Sequence, residues 1–224
     1  MTLYLIRHGE TQWNRAGRLQ GHGDSPLTMQ GIEQAIAAVQ VLQRDIDNLV
    51  DVQLQTSPLF RARQTAAIIA DGLGLSPDQC LESPLLIEHN FGKWEGLTDI
   101  EIEALYPGAQ TERHRNHWSY MVPGGESYAQ VYQRAKQWFQ LPRLASTTIV
   151  LTHAKTSRAL RGVYLNLKPE EILPLKHPQD CLYKLQANRI ESYSYSSLPR
   201  AFNKSWGKPT AMPSTPALSK GSAV

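Results

Sequence analysis

The sequence LYLIRHGET at residues 3–11 decides the fold, because a short apolar run ends there in charged and polar side chains. The run Leu3–Ile6 predicts a buried strand. Arg7 and His8 follow at once, and a guanidinium beside an imidazole is costly to bury unless a site uses both. Ligands of open α/β sheets lie beyond the carboxyl ends of the strands. We therefore predict an anion site with a nucleophilic imidazole, against the alternative of a strand end that is merely polar.

Two later strands end in the same way. The alternating run 52–56 predicts a strand, and the helix after it carries Arg61 in its first turn. Taken alone, Arg61 is better explained as a surface residue than as an anion ligand. The run 147–151 predicts a third strand, and His153 follows it as His8 follows the first. Because the carboxyl ends of parallel strands share one sheet edge, we expect these side chains to lie together.

A carboxyl group and a glycine-rich loop add to this pattern. The apolar segment 84–87 leads directly to Glu88, which is a candidate proton donor, although a surface glutamate is the plainer interpretation. The loop through Gly21 can wrap its backbone amides around an anion. A helix is expected to follow, capped by Thr28 and ending near Asp47.

The rest of the chain predicts an α/β fold of three layers, with a mostly parallel central sheet, helices on both faces and the active site at the carboxyl ends of the strands. The segments 182–186 and 190–195 predict a terminal hairpin. The polar segment 106–125 is interpreted as a lid-like insertion in one domain over 1–196. Residues 197–224 are rich in Pro, Ser and Thr and predict a disordered basic tail.

Composition excludes several classes of function. The net charge is +3, but the tail carries four basic residues and no acidic one, which leaves −1 for the remainder. The basic character therefore lies in the tail, and we expect no nucleic-acid partner. No apolar run is long enough to span a membrane, and the first strand begins too early for a signal peptide. Cys80 and Cys181 form no paired motif, so a cytoplasmic protein is expected.

Four motifs in order carry a resemblance to a known family. They are RHGETxxN from residue 7, SPLxRARQTA from 57, ExxxGxWEG from 88 and the strand-borne THA at 152–154. Together they resemble the histidine phosphatase superfamily, also called phosphoglycerate mutase-like, over residues 3 to about 190. The resemblance implies that His8 becomes phosphorylated.

The same resemblance implies roles for the other residues. Arg7, Arg61 and His153 would line the phosphate pocket, while Glu88 would protonate the leaving group and then activate water. The predicted substrate-binding residues lie in the first loop and after the second histidine: Asn14, Gln20, Gly21 and Ala154. Ala154 departs from the glycine that many members carry, so its Cβ narrows the pocket. Lys155 beside it adds a charge near the substrate.

The leading prediction is a metal-independent phosphomonoester hydrolase that acts on a small phosphorylated metabolite through a phosphohistidine and needs no cofactor. The stretch HNFGKWEGLTD from residue 89 resembles the small phosphatase branch, which includes α-ribazole phosphatase and broad-specificity phosphatases. The alternatives are a cofactor-dependent phosphoglycerate mutase and, less favoured, a non-catalytic member that binds a phosphorylated ligand or a protein. A zinc site at His114 and His117 is a disfavoured alternative, because the sequence around them is rich in cationic residues. The sequence does not exclude a homodimer.

Overall fold

The computed structural model describes residues 1–142 and 145–195, which form a six-stranded mixed sheet between two helical layers. The strands are β1 (Thr2–Arg7), β2 (Val52–Thr56), β3 (Cys80–Glu82), β4 (Thr147–Thr152), β5 (Cys181–Gln186) and β6 (Arg189–Ser194). Their order across the sheet is β3-β2-β4-β1-β5-β6. The first four run parallel, whereas β5 and β6 form the antiparallel hairpin that the sequence predicts. The predicted fold class is confirmed.

The helices are α1 (Gln12–Arg15), α2 (Met29–Asp45), α3 (Phe60–Leu73), α4 (Asp99–Leu105), α5 (Ala109–Arg115), α6 (Tyr128–Gln140), α7 (Ala154–Tyr164) and α8 (Pro169–Ile172). Three single turns of 3-10 helix lie at Pro77–Gln79, Pro84–Leu86 and Gly92–Trp94. Within the described residues, no helix is long and apolar enough to cross a membrane.

Alternation along β1 explains the three layers. Tyr4 and Ile6 point to the face covered by α2 and α3, while Leu3 and Leu5 point to the face covered by α6 and α7. Successive side chains of a strand point to opposite faces, so an apolar run without polar interruptions predicts a strand buried on both sides. All four side chains are at most 2% exposed.

Capping residues set the helix boundaries. The Thr28 hydroxyl accepts a hydrogen bond from the amide of Gly31 at 3.1 Å, as expected for an N-cap, and α2 ends at Asp45, two residues before the predicted end. The helix α6 begins at Tyr128. Ser127 caps it by accepting from the Gln130 amide at 3.3 Å.

The apolar segment before Glu88 forms a turn. Its residues Pro84–Leu86 are one turn of 3-10 helix, in which Leu86 is fully buried. Proline has no N–H to donate to a sheet ladder, which favours the turn. The strand at this edge of the sheet is β3, only three residues long and not predicted. The predicted tail, 197–224, lies outside the described residues, and the lid in 106–125 stays a prediction.

Candidate active site

Two neighbouring parallel strands deliver the two histidines. In the sheet register Arg7 of β1 lies opposite Thr152 of β4, and the His8 amide donates to the Thr152 carbonyl at 3.0 Å. His8 and His153 therefore leave the sheet side by side, with ring centroids 5.1 Å apart. Both rings are buried.

Hydrogen bonds fix the protonation state of His8. Its Nδ1 lies 2.8 Å from the carbonyl oxygen of Gly9, which can only accept, so Nδ1 carries the proton. Nε2 then keeps its lone pair, and it accepts from Nε of Arg61 at 3.3 Å. Burial, together with the charges of Arg61 and Arg7, holds the pKa of His8 well below its ordinary value. His8 is thus a neutral imidazole with Nε2 free to act as a nucleophile.

Arg61 is enclosed rather than exposed. Its side chain is 1% exposed, so the interpretation of this residue as a surface arginine is wrong. Nη1 donates to the Gly23 carbonyl at 2.8 Å and to Asp24 Oδ1 at 3.0 Å, and Nη2 donates to the Gly21 carbonyl at 2.7 Å. These bonds orient the guanidinium so that its Nε–H faces His8, where an anion's oxygen would be held.

Gly21 is required where the loop crosses Glu95. Its φ is +57°, and a Cβ at this position would lie 2.1 Å from Oε1 of Glu95. The Glu95 carboxylate accepts from the amides of His22 at 2.7 Å and Gly23 at 2.9 Å. Glu95 therefore shapes the loop whose carbonyls hold Arg61, a role that its place in the WEG motif does not reveal.

A serine after β2 orients His153. Oγ of Ser57 lies 2.8 Å from Nε2 of His153 and accepts from the Leu59 amide at 3.3 Å. When the hydroxyl proton points at Nε2, the His153 proton resides on Nδ1. This Nδ1 is buried and has no partner among the described residues, which suits a donor to a bound anion. Burial and the charge of Arg61 keep the pKa of His153 well below its ordinary value.

Arg7 adds an unpartnered donor to this candidate anion pocket. Its Nη1 donates to the His177 carbonyl at 3.0 Å, and its buried Nε has no partner in the described part of the chain. Burial lowers the pKa of Arg7 to about 10, opposed by the charge of Glu88. His177 is itself buried, with Nδ1 hydrogen-bonded to the Ser157 hydroxyl. His177 and Ser57 support the site but form no motif that the sequence singles out.

Glu88 lies at the N-terminus of α7. Oε1 accepts from the amides of His89 at 2.9 Å and Thr156 at 3.3 Å, and Oε2 accepts from the Lys155 amide at 3.3 Å. Glu88 is buried, with 8% of the residue exposed. These donors fix the orientation of Glu88 beside the anion pocket, where it can exchange a proton with a leaving oxygen or a water.

A sequence model of the histidine phosphatase superfamily (branch 1) matches residues 3–193. The chain belongs to this superfamily. Among curated relatives, the 2,3-bisphosphoglycerate-dependent phosphoglycerate mutase of Methylobacterium radiotolerans is 32% identical over 193 residues, which cover 83% of this chain and 90% of that protein.

Solved structures of superfamily members share the fold. The mycobacterial glucosyl-3-phosphoglycerate phosphatase in complex with VO3 is 26% identical, with a TM-score of 0.70 over 86% of this chain and 96% of that chain. The α-ribazole phosphatase of Shigella flexneri is 25% identical, with a TM-score of 0.71 over 87% of this chain and 95% of that chain. The resemblance drawn from the four motifs is confirmed.

In this member of the superfamily, two of the predicted substrate-binding residues, Asn14 and Gln20, contact the first loop. Asn14 Oδ1 accepts from Nε2 of Gln179 at 2.8 Å, and the same nitrogen lies 3.4 Å from the His8 carbonyl. Gln20 donates from Nε2 to the Thr11 hydroxyl at 2.8 Å. Both amides therefore brace the loop that follows His8. Their contact with substrate stays a prediction.

Ala154 is the first residue of α7, directly after His153. Its predicted role in narrowing the substrate pocket also stays a prediction.

Groups of three or more metal-ligating side chains do not occur in residues 1–142 and 145–195. His114 is exposed, with Nδ1 2.7 Å from the Gln110 carbonyl. His117 lies beyond the last residue of α5, Arg115, so the two histidines do not share a helix face.

Proposed function

We propose that this member of the superfamily hydrolyses a small phosphorylated metabolite through a phosphohistidine at His8, with no metal ion. The observation that carries the proposal is the neutral His8, whose Nε2 lone pair faces the Nε–H of Arg61 at 3.3 Å. A nucleophile held beside a guanidinium suits an incoming phosphoryl group. The phosphoryl oxygens accept hydrogen bonds from the guanidinium N–H, and the phosphorus then lies in front of the lone pair of the nucleophile.

The reaction follows from the donors around this point. Arg61, Arg7 and His153 each direct an N–H toward the phosphoryl oxygens and stabilise the charge that spreads over them in the transition state. Nε2 of His8 attacks phosphorus, the bond to the ester oxygen breaks, and Glu88 gives that oxygen a proton. Glu88 then takes a proton from water as it attacks the phosphohistidine, which releases inorganic phosphate and restores His8.

A phosphoglycerate mutase is the second candidate, and the curated relatives named as such favour it. In a mutase the same phosphohistidine transfers its phosphoryl group to a hydroxyl of the substrate instead of to water. The two functions share every residue described above, so they differ only in the final acceptor. The structural neighbours named as phosphatases favour the hydrolase.

Phosphate release decides between these functions. Release would be measured from p-nitrophenyl phosphate and a panel of metabolite phosphates with EDTA present, alongside His8→Ala and the exposed control His114→Ala. We expect release that survives EDTA, is lost in His8→Ala and is retained in His114→Ala. Isomerisation of phosphoglycerate without net phosphate release would instead establish the mutase. Residual hydrolysis in His8→Ala would overturn the phosphohistidine mechanism.

A further inference from the structure

A cluster of basic side chains surrounds two aromatic rings beside the anion pocket. Nζ of Lys155 lies 4.9 Å from the ring centroid of Phe91 and 5.9 Å from that of Tyr128. The guanidinium of Arg113 lies 5.4 Å from the Phe91 centroid. The ring of His117 is 6.1 Å from that of Tyr128. Basic side chains from α5, from α7 and from the segment between α5 and α6 thus contact the same two aromatic rings.

Two buried nitrogen atoms of this cluster, Nε of Arg158 and Nε2 of His117, have no partner in the described residues. The cationic groups of Lys155 and Arg113 form no hydrogen bond or ion pair there either. Buried polar groups are nearly always hydrogen-bonded, so these two nitrogens beside two unpaired cationic groups indicate that an anionic partner is missing.

Neighbouring carboxylates offset only part of the charge of the cluster. The charge of Glu88 raises the pKa of Lys155 and that of Asp99 raises the pKa of Arg113, but neither pair forms an ion pair in the described residues. Burial and the charge of Arg113 lower the pKa of Lys155 to about 7, and burial with the charge of Lys155 lowers the pKa of His117 to about 4. An anion placed among these groups would relieve both effects.

The cluster adjoins the reacting groups. Lys155 is two residues beyond His153, and its amide donates to Oε2 of Glu88 at 3.3 Å. Arg158 lies three residues further along α7, on the same face of the helix. Its positive charge lowers the pKa of Arg7 as well as that of Lys155, so it is close to both side chains.

We propose that Lys155 and Arg158 bind a second anionic group, a carboxylate or a phosphate, on the alcohol part of the substrate. Arg113 and His117 complete this subsite, and Phe91 and Tyr128 form its floor. The proposal rests on the proposed function, since it identifies the substrate as a phosphomonoester whose leaving group is itself acidic. Donors that remain unpaired with a neutral substrate would make the site reject it.

Matched substrates test the subsite directly. Phosphoglycolate and ethyl phosphate have the same two-carbon frame and differ by the carboxylate, and 1,2-ethanediol bisphosphate replaces the carboxylate with a second phosphate. We expect kcat/KM for at least one of the acidic esters to exceed that for ethyl phosphate by about tenfold or more. The acidic ester with the larger increase in kcat/KM shows whether the second group is a carboxylate or a phosphate. Equal values for all three esters would overturn the proposal.

Variants assign the preference to residues. Lys155→Met and Arg158→Met should each reduce the ratio of acidic to neutral kcat/KM about tenfold, because each removes a charge-assisted hydrogen bond. Lys136→Met, which alters an exposed lysine on α6, should leave the ratio unchanged, as should Arg189→Met in β6. A ratio that stays at the wild-type value in both Lys155→Met and Arg158→Met would overturn the assignment.

A binding measurement separates this proposal from the proposed function. By calorimetry, 3-phosphonopropionate should bind about tenfold more tightly than propylphosphonate, which lacks the carboxylate. If no ester is hydrolysed but this difference persists and is lost in Lys155→Met, hydrolysis is wrong and the subsite stands. Equal affinities of the two phosphonates would contradict the subsite, even where phosphate release is observed.

Discussion

Replacing Ser57 with alanine tests whether the second histidine is held as a hydrogen-bond donor. The Ser57 hydroxyl is fully buried and lies 2.8 Å from Nε2 of His153. Without it, Nε2 loses the partner that keeps the proton on Nδ1. The neutral imidazole can then place its proton on either nitrogen, so a donor to the phosphoryl oxygens is no longer assured.

The size of the effect follows from the bonds that are lost. A hydrogen bond to a charged group contributes roughly 1.5–3 kcal/mol, so losing the bond from Nδ1 in the transition state should lower kcat/KM by about 10- to 100-fold. The unpartnered Nε2 should also lower the free energy of unfolding by about 1–3 kcal/mol.

The assay is steady-state hydrolysis of p-nitrophenyl phosphate by Ser57→Ala, with urea unfolding of the same sample. Ser83→Ala is the matched control, because Ser83 is also buried but its hydroxyl makes no hydrogen bond in the described residues. It should retain activity within about twofold, since it lacks a bond to lose. A Ser57→Ala enzyme with kcat/KM within twofold of wild type would refute the orientation argument.

Three other predictions follow from the site and its loop. Glu88→Gln should reduce kcat/KM more for alkyl phosphates than for p-nitrophenyl phosphate, whose leaving group needs little protonation; an equal loss on both would show that Glu88 is not the proton donor. Gly21→Ala should lower the free energy of unfolding by about 2 kcal/mol or more, because the new Cβ would clash with Glu95. Gly17→Ala, also at positive φ but in open space, should lower it by only about 1 kcal/mol. Equal losses in urea unfolding would contradict this prediction. Finally, the free energy of unfolding should fall as the pH decreases from about 6.5 to 5, because the unfolded chain then binds more protons than the folded one. The fall should be up to about 1.4 kcal/mol per pH unit for each histidine that burial keeps neutral in the fold, namely His8, His153 and His177. Urea midpoints that do not change over this range would contradict the lowered pKa values.

The sequence predicts the parallel core of the sheet well. Unbroken apolar runs such as β1 and β4 are buried on both faces, and residues of the carboxyl ends necessarily share one edge. The grouping of His8 and His153 follows from that topology alone. The hairpin of β5 and β6 is also recognisable, because its turn residues separate two alternating segments.

Contacts between distant segments are not visible in local patterns. Taken alone, Arg61 is expected on the surface, because its buried partners, the carbonyls of Gly21 and Gly23, belong to a loop about 40 residues earlier in the chain. β3 escapes prediction because three residues with an exposed Leu81 give no periodicity. The supporting roles of Ser57 and His177 likewise appear only when the strands and loops are assembled.

Direct detection of the covalent intermediate tests the account most sharply. Glu88→Gln would be mixed with p-nitrophenyl phosphate and quenched in alkali, which preserves phosphohistidine, and the modified residue located by mass spectrometry and ³¹P NMR. We predict one phosphoryl group per chain, on Nε2 of His8, and none in the Glu88→Gln, His8→Ala double variant. A phosphoryl group on another residue, or turnover by an enzyme that never becomes phosphorylated, would contradict a mechanism through phosphohistidine at His8.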